Sequence, residues 1–87
     1  MVKGTVTITN PTGLHLRPAG KLCEEARKFQ CSVMLHKDTL QVSAKSLLAL
    51  LGAKVKYGDE IELICEGEDE DAALTALTEL INSGIEV

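Results

Sequence analysis

Hydrophobic and polar residues alternate with a period of two in four short stretches of the chain, which is typical of β-strands that bury one face. These stretches are centred on Val6, Val33, Val42 and Leu63. In three other stretches the apolar residues recur every three to four positions, as expected for helices that pack along one side. The pattern therefore predicts the element order β-α-β-β-α-β-α.

Local signals mark the ends of the three predicted helices. Pro18 favours the first turn of a helix that begins near it. Ser46 is a preferred N-cap residue for a short, leucine-rich helix that ends near Gly52. A last helix is predicted from about residue 69 to residue 83, because acidic residues suit its positive N-terminal end. One sheet with all helices on the same face would bury every apolar stripe, so we predict a two-layer α+β domain.

The length of 87 residues suits one small domain, which we expect at residues 1–87. Such a domain has little room for a deep substrate cleft, so we expect a protein that works with partners rather than a self-sufficient enzyme. No stretch approaches the roughly 20 apolar residues that span a bilayer, and the N-terminus lacks the apolar run of a secretory signal. We expect a cytoplasmic monomer without membrane insertion.

The charged residues are distributed unevenly. All nine lysines and arginines lie in residues 1–56 with three of the thirteen acidic residues, whereas the other ten acidic residues lie in residues 57–87. The net charge of -4 and the scarcity of aromatic residues argue against nucleic-acid binding. The basic part suits contact with an acidic protein surface, whereas the acidic residues also fit a simpler role in solvating the last helix.

The three cysteines indicate neither a disulfide framework nor a metal site. Cys23, Cys31 and Cys65 are an odd number and have no C-x-x-C spacing. Each lies within an apolar pattern, so we predict that all three are small buried hydrophobic residues.

Residues 12–19 carry the most informative pattern for chemistry. His15 lies in the loop before the first helix, and Arg17 follows at the helix start. A helix N-terminus offers N–H groups and partial positive charge to an anion, and arginine donates to phosphate oxygens. Imidazole has an uncharged, nucleophilic form near neutral pH. The pattern predicts a phosphoryl group on His15, with partner proteins supplying the rest of the machinery.

The simpler interpretation of His15 is a surface or capping residue, since that is the more common role of a lone histidine in a loop. His36 lies on a predicted strand with no arginine or helix start beside it. We predict that His36 is structural or exposed.

The short second helix carries two further candidates. Ser46 caps the helix, which contributes about 1 kcal/mol, and it is also a candidate site of regulatory phosphorylation. Leu47, Leu48 and Leu51 share a face and cannot all turn inward together with Leu50. They predict an exposed apolar patch that binds a partner.

The chain resembles the HPr family of phosphocarrier proteins over essentially its whole length. Gly-Leu-His-Leu-Arg-Pro-Ala at residues 13–19 matches the active-site signature of that family, and Ser-Ala-Lys-Ser-Leu at residues 43–47 matches its regulatory serine signature. The resemblance implies an open-faced β-sandwich, a four-stranded antiparallel sheet with three helices on one face. It also implies that His15 accepts phosphate on Nδ1 and that Arg17 steadies the phosphoryl group.

The resemblance further implies a set of partners and no cofactor. Phosphorylated Enzyme I, which draws on phosphoenolpyruvate, would be the donor, and the IIA domain of a sugar permease would be the acceptor. In some relatives a kinase/phosphorylase acts on the residue that matches Ser46, and the phosphorylated form binds a catabolite-control repressor and is a poor substrate for Enzyme I. The implied docking residues are Leu47, Leu48, Leu51, Arg17, Lys21 and Lys45.

Two alternative functions stay open. The chain could serve the related nitrogen-regulatory phosphorelay, or it could be a regulatory binding module that acts through phosphorylated Ser46. The presence of His15 argues against the branch that has lost this histidine. Lys54 stands where relatives often have a small residue, and the turn at Asp38 and Thr39 lacks the usual glycine.

Overall fold

In the computed structural model, which describes residues 1–85, a four-stranded antiparallel sheet carries three helices on one face. This confirms the predicted element order and the open-faced α+β architecture. The strands lie in the spatial order β1-β4-β2-β3, so the first and last strands of the chain are neighbours. The elements are β1 (Val2–Thr7), α1 (Leu16–Ala26), β2 (Ser32–Lys37), β3 (Leu40–Ser43), α2 (Leu47–Gly52), β4 (Glu60–Glu66) and α3 (Glu70–Asn82).

The register of the sheet brings the apolar residues of neighbouring strands to the helical face. Val6 lies opposite Ile61, and Leu35 lies opposite Leu63. All four are buried, because side chains alternate between the two faces of a strand and these positions share one face. The other face carries mainly polar and charged side chains, with Met34 and Ile64 paired among them.

The last helix matches its predicted bounds, with Asp69 as its N-cap and Ser83 as its C-cap. Its buried residues are Ala73, Leu77 and Ile81, spaced four apart as one helical stripe requires. The sequence suggested that the acidic residues at the start of α3 stabilise this helix itself, but Asp69 has a different role in the structure. The Asp69 carboxylate does not cap its own helix but accepts the backbone N–H groups of residues 30 and 31, each at 2.8 Å. It therefore joins α3 to the start of β2.

The three cysteines are buried and free, as predicted. Burial, and then the hydrogen bond to Asp69, raise the pKa of the Cys31 thiol to about 11. A thiol with so high a pKa forms very little of the nucleophilic thiolate at neutral pH. Cys31 therefore serves the core as a small hydrophobic residue.

The leucines of α2 divide between the core and the solvent. Leu50 is fully buried, whereas Leu48 is 83% exposed. Leu47 and Leu51 are half-buried and pack against the edge of the core. Leu48 confirms that the leucines do not all face inward. The exposed patch is smaller than predicted, because Leu47 and Leu51 also pack against the core.

Lys54 follows the C-cap of α2 in an unusual backbone conformation. Its φ is +54°, in the left-handed region where glycine normally ends a helix. A side chain in this region costs roughly 1 kcal/mol relative to glycine. Glycine would adopt this conformation more readily, so the lysine lowers the stability of the fold here.

No helix within residues 1–85 is long and apolar enough to cross a membrane.

Candidate functional site

His15 occupies the N-cap position of α1, the first residue before eleven helical ones. Its backbone is extended, and its carbonyl oxygen accepts the N–H of Ala19 at 2.9 Å. The imidazole is exposed and makes no capping hydrogen bond. No acidic residue lies in the first turn of the helix, so its partial positive charge is not offset there. The ring thus stands beside a helix end that favours an anion.

A tight turn at residues 10–13 sets the position of the histidine. The side-chain amide of buried Asn10 donates to the carbonyl oxygen of Gly13, and the Gly13 N–H donates to the Asn10 carbonyl oxygen at 3.0 Å. Gly13 has a φ of +69°, and a Cβ placed on it would lie 2.5 Å from the carbonyl oxygen of Val55. Glycine is therefore required at this position by both conformation and space.

A second loop, residues 54–59, packs against the histidine loop and supports it. The N–H of Leu14 donates to the Val55 carbonyl oxygen at 2.9 Å, and Ile8 exchanges two backbone hydrogen bonds with Gly58 and Asp59. The Asp59 carboxylate accepts the backbone N–H of Lys56 at 2.8 Å. That bond, followed by one from Lys37, lowers the pKa of Asp59 below its usual range. The two loops consequently form one hydrogen-bonded unit.

The residues around His15 combine positive charge with exposed apolar surface. Arg17 is exposed on the first turn of α1, and Lys21 lies half-buried one turn further on. Leu16, which directly follows the histidine, is 65% exposed. With Leu48 on α2, it adds a second large apolar side chain to the exposed surface. Such apolar exposure in a small protein is typical of a protein-binding surface.

Ser46 caps α2 as predicted, because its Oγ accepts the N–H of Ala49 at 3.2 Å. The preceding Lys45 is engaged within the fold: its ammonium donates to the Phe29 carbonyl oxygen at 2.7 Å, in the turn that follows α1. The Lys45 carbonyl oxygen in turn accepts the Nε–H of Arg27 at 3.0 Å. These bonds join the loop before Ser46 to α1, so the structure directs the Lys45 charge toward α1.

His36 lies away from this arrangement, on the face of the sheet that carries no helix. Its Nδ1 is 3.7 Å from a carboxylate oxygen of Glu62, and the ring is only partly exposed. Within residues 1–85, no group of three or more histidine, cysteine or acidic side chains has the geometry to hold a metal ion.

Sequence reasoning missed three residues that shape the site. Asn10 and Gly13 have the composition of an ordinary turn, and only the contact with Val55 reveals how tightly they hold the loop. Leu16 belongs to the motif, but its exposure could not be read from a helical stripe because it lies at the first position of the helix.

Comparison with known proteins gives a consistent result. A sequence model described as the PTS HPr component phosphorylation site matches residues 2–83. The phosphocarrier protein HPr of Treponema pallidum is 40% identical over 86 residues, covering 99% of this chain and 98% of the relative. The phosphocarrier protein NPr of Escherichia coli K12 is 42% identical over 86 residues, covering 98% and 96%. The HPr-like protein Crh of Bacillus subtilis is 39% identical over 85 residues, covering 98% and 100%.

The fold also superposes closely on a solved structure of this kind of protein. HPr-C-His from Thermoanaerobacter tengcongensis superposes with a TM-score of 0.95 at 39% sequence identity, and the match covers 100% of this chain and 99% of that one.

Proposed function

This chain belongs to the HPr family of phosphocarrier proteins, and we propose that it accepts a phosphoryl group on Nδ1 of His15 from phosphorylated Enzyme I and passes it to the IIA domain of a sugar permease. The proposal rests on one observation: the His15 imidazole is exposed at the N-terminus of α1 and makes no capping hydrogen bond. We further propose that the protein acts as a monomer in the cytoplasm.

The proposed transfer is a substitution at phosphorus. The lone pair of the His15 nitrogen forms a new N–P bond while the bond between phosphorus and the donor atom of Enzyme I breaks, and that donor atom keeps the electron pair. The phosphoryl oxygens then lie beside the positive end of α1 and within reach of Arg17, which together stabilise their charge. Because phosphoryl transfer depends on positioning and charge, a rigid small carrier suffices when its partners supply the rest.

The intact mass after incubation with phosphoenolpyruvate and Enzyme I tests the proposal. We expect a gain of one phosphate that disappears on brief acid treatment, since phosphoimidazole is labile in acid. His15→Ala should abolish the gain, whereas His36→Ala, the matched change at the other histidine, should retain it. Uptake that persists in His15→Ala would exclude this site as the acceptor.

We also propose that Ser46 regulates uptake when a kinase phosphorylates it. The phosphate would place negative charge next to exposed Leu48, and docking there would then require its desolvation. Ser46→Asp should slow uptake from Enzyme I, whereas Ser46→Asn keeps a capping side chain without the charge and should not. Equal rates for both variants would remove the regulatory role.

A nitrogen-branch function is the second candidate, favoured by the 42% identity to an NPr protein over nearly the whole chain. The chemistry at His15 would be the same, and only the partners would differ. Purified Enzyme I of each branch, offered to this chain under identical conditions, distinguishes the two by the ratio of kcat/KM. An acid-stable phosphate from a Ser46 kinase, with no uptake from either Enzyme I, would instead favour a regulatory binding module.

A further inference from the structure

Two exposed lysines, Lys54 and Lys56, lie on the loop that supports the histidine loop; we name them the Lys54/Lys56 patch. A Cβ placed on Gly13 would be 2.9 Å from the Lys56 Cα. Since Gly13 and His15 are two residues apart, the Cα atoms of Lys56 and His15 lie within about 12 Å of each other. A protein interface commonly covers about 800 Å² on each partner, so a surface docked on His15 is wide enough to reach this patch.

The ammonium groups of the patch have no close partner inside the described part of the fold, although the charge of Lys56 helps to lower the pKa of Asp59. Lys28, Lys37 and Lys45 each donate to a partner in the same chain. The ammonium groups of Lys54 and Lys56 make no ion pair or hydrogen bond with any group in residues 1–85. The nearby Asp59 carboxylate is already held by the Lys37 ammonium at 3.0 Å and by the Lys56 backbone N–H at 2.8 Å. Asp59 therefore offsets the patch only in part.

The backbone provides a second, independent observation. Lys54 adopts a left-handed conformation in which glycine would be more stable, yet this chain has a long, charged side chain there. The Lys37 ammonium helps to hold that conformation by donating to the Lys54 carbonyl oxygen at 3.2 Å. Strain retained at a surface position next to a functional loop points to a functional role for the side chain.

We propose that the Lys54/Lys56 patch is a second basic part of the docking surface around His15, in addition to Arg17, and that it binds an acidic patch on the phosphoryl donor. This inference rests on the proposed carrier function. It assigns to two lysines on the loop a role that the sequence suggested for Lys45, whose ammonium is held against α1.

The donor, rather than the acceptor, is the partner that this charge favours. Before transfer, the two lysines attract an acidic surface to a site without phosphate. After transfer, the phosphoryl group brings a charge of about -2 to the same site, which offsets two lysines and favours release of the donor. The patch therefore promotes uptake more than delivery.

The test measures kcat/KM for phosphoryl uptake from Enzyme I and compares a charge-reversed variant of the full chain with the parent. Lys54→Glu/Lys56→Glu should lower kcat/KM about 10-fold or more at low salt, with kcat changed less than about twofold, because steering acts on encounter. The difference should shrink to about twofold at roughly 0.5 M salt, where charges are screened. Delivery from the phosphorylated variant to a IIA domain should stay within about twofold of the parent.

Lys3→Glu is the control variant. Lys3 is exposed on the face of the sheet that carries no helix, at the start of β1, whereas the end of β1 leads to the histidine loop. The charge change per substituted residue is the same. Lys54→Gly/Lys56→Gln removes both charges and also relieves the backbone strain at residue 54. Poor folding therefore cannot explain a loss of uptake in this variant. We expect about a threefold lower kcat/KM for it at low salt. Kinetics of the charge-reversed pair that match Lys3→Glu at low salt would overturn the proposal.

Failure of the proposed function would look different from failure of this inference. If the carrier function is wrong, the parent chain takes up no phosphate from Enzyme I. If only the docking role is wrong, the parent and the charge-reversed pair take it up with the same salt dependence.

Discussion

Replacement of Gly13 by alanine tests how the structure positions the histidine. The glycine has a φ of +69°, and the new Cβ would meet the Val55 carbonyl oxygen at 2.5 Å and the Lys56 Cα at 2.9 Å. Both contacts are with backbone atoms, so no side chain can rotate away to relieve them. The two loops must separate, and the hydrogen bond from Leu14 to Val55 is lengthened or lost.

The expected loss of stability has two parts. An alanine in the left-handed region costs roughly 1 kcal/mol more than glycine. Loss of the backbone hydrogen bond between Leu14 and Val55, 2.9 Å long in the structure, adds about 1 kcal/mol or somewhat more. Gly13→Ala should therefore lower the free energy of unfolding by about 2 to 3 kcal/mol, which for a domain of this size lowers Tm by roughly 10 to 20 °C.

Two other glycines separate the contributions. Gly58 has a φ of +88° with open space around it, so Gly58→Ala should cost only the conformational part, about 1 kcal/mol. Gly52 lies in α2 with neither a positive φ nor a close neighbour, so Gly52→Ala should stabilise by about 0.5 to 1 kcal/mol.

Urea unfolding with linear extrapolation measures all three variants on the same scale. A Gly13→Ala protein as stable as Gly58→Ala would refute the claim that close contact with the second loop holds the histidine loop. The same variant should take up phosphate about 10- to 100-fold more slowly, because a shift of about 1 Å at a reacting group has effects of that size. Gly58→Ala should leave uptake within about twofold.

Three further predictions concern stability. Ser46→Ala should lower the free energy of unfolding by about 1 kcal/mol in urea unfolding, because the N–H of Ala49 loses its acceptor, while Ser46→Asp keeps the cap. Lys54→Gly should raise the free energy of unfolding by roughly 1 kcal/mol, because glycine adopts the left-handed conformation without strain. A lower free energy of unfolding for this variant would contradict backbone strain at residue 54. Backbone N–H donors, first that of residue 30, lower the pKa of Asp69 in the folded state. Its contribution is therefore present above the unfolded pKa near 4 and lost as pH falls through the lower folded value. The urea midpoint should thus fall less between pH 7 and pH 2.5 in Asp69→Asn than in the parent.

Much of the fold could be predicted because local periodicity and burial coincide in this chain. The alternation around Leu63 fixes which face of β4 is buried, and the spacing of Ala73, Leu77 and Ile81 fixes which side of α3 is buried. Ser46 was recognisable as a cap because capping needs only a hydroxyl three residues before an N–H. The roles of Asp69 and Lys45 were not, since their hydrogen-bond partners lie far away in sequence.

The sequence by itself determined the element order, the apolar faces of the strands and of the two long helices, the family and the identity of the candidate histidine, because these depend on residue type and spacing along a single chain. The tertiary structure decided which face of α2 remains exposed, where Lys45 directs its charge, and how residues 54–59 come to lie against the turn that carries His15. These features depend on which distant backbone groups meet when the sheet and helices pack together. Spacing along the chain does not encode such contacts, and they set both the rigidity of the site and the charge around it.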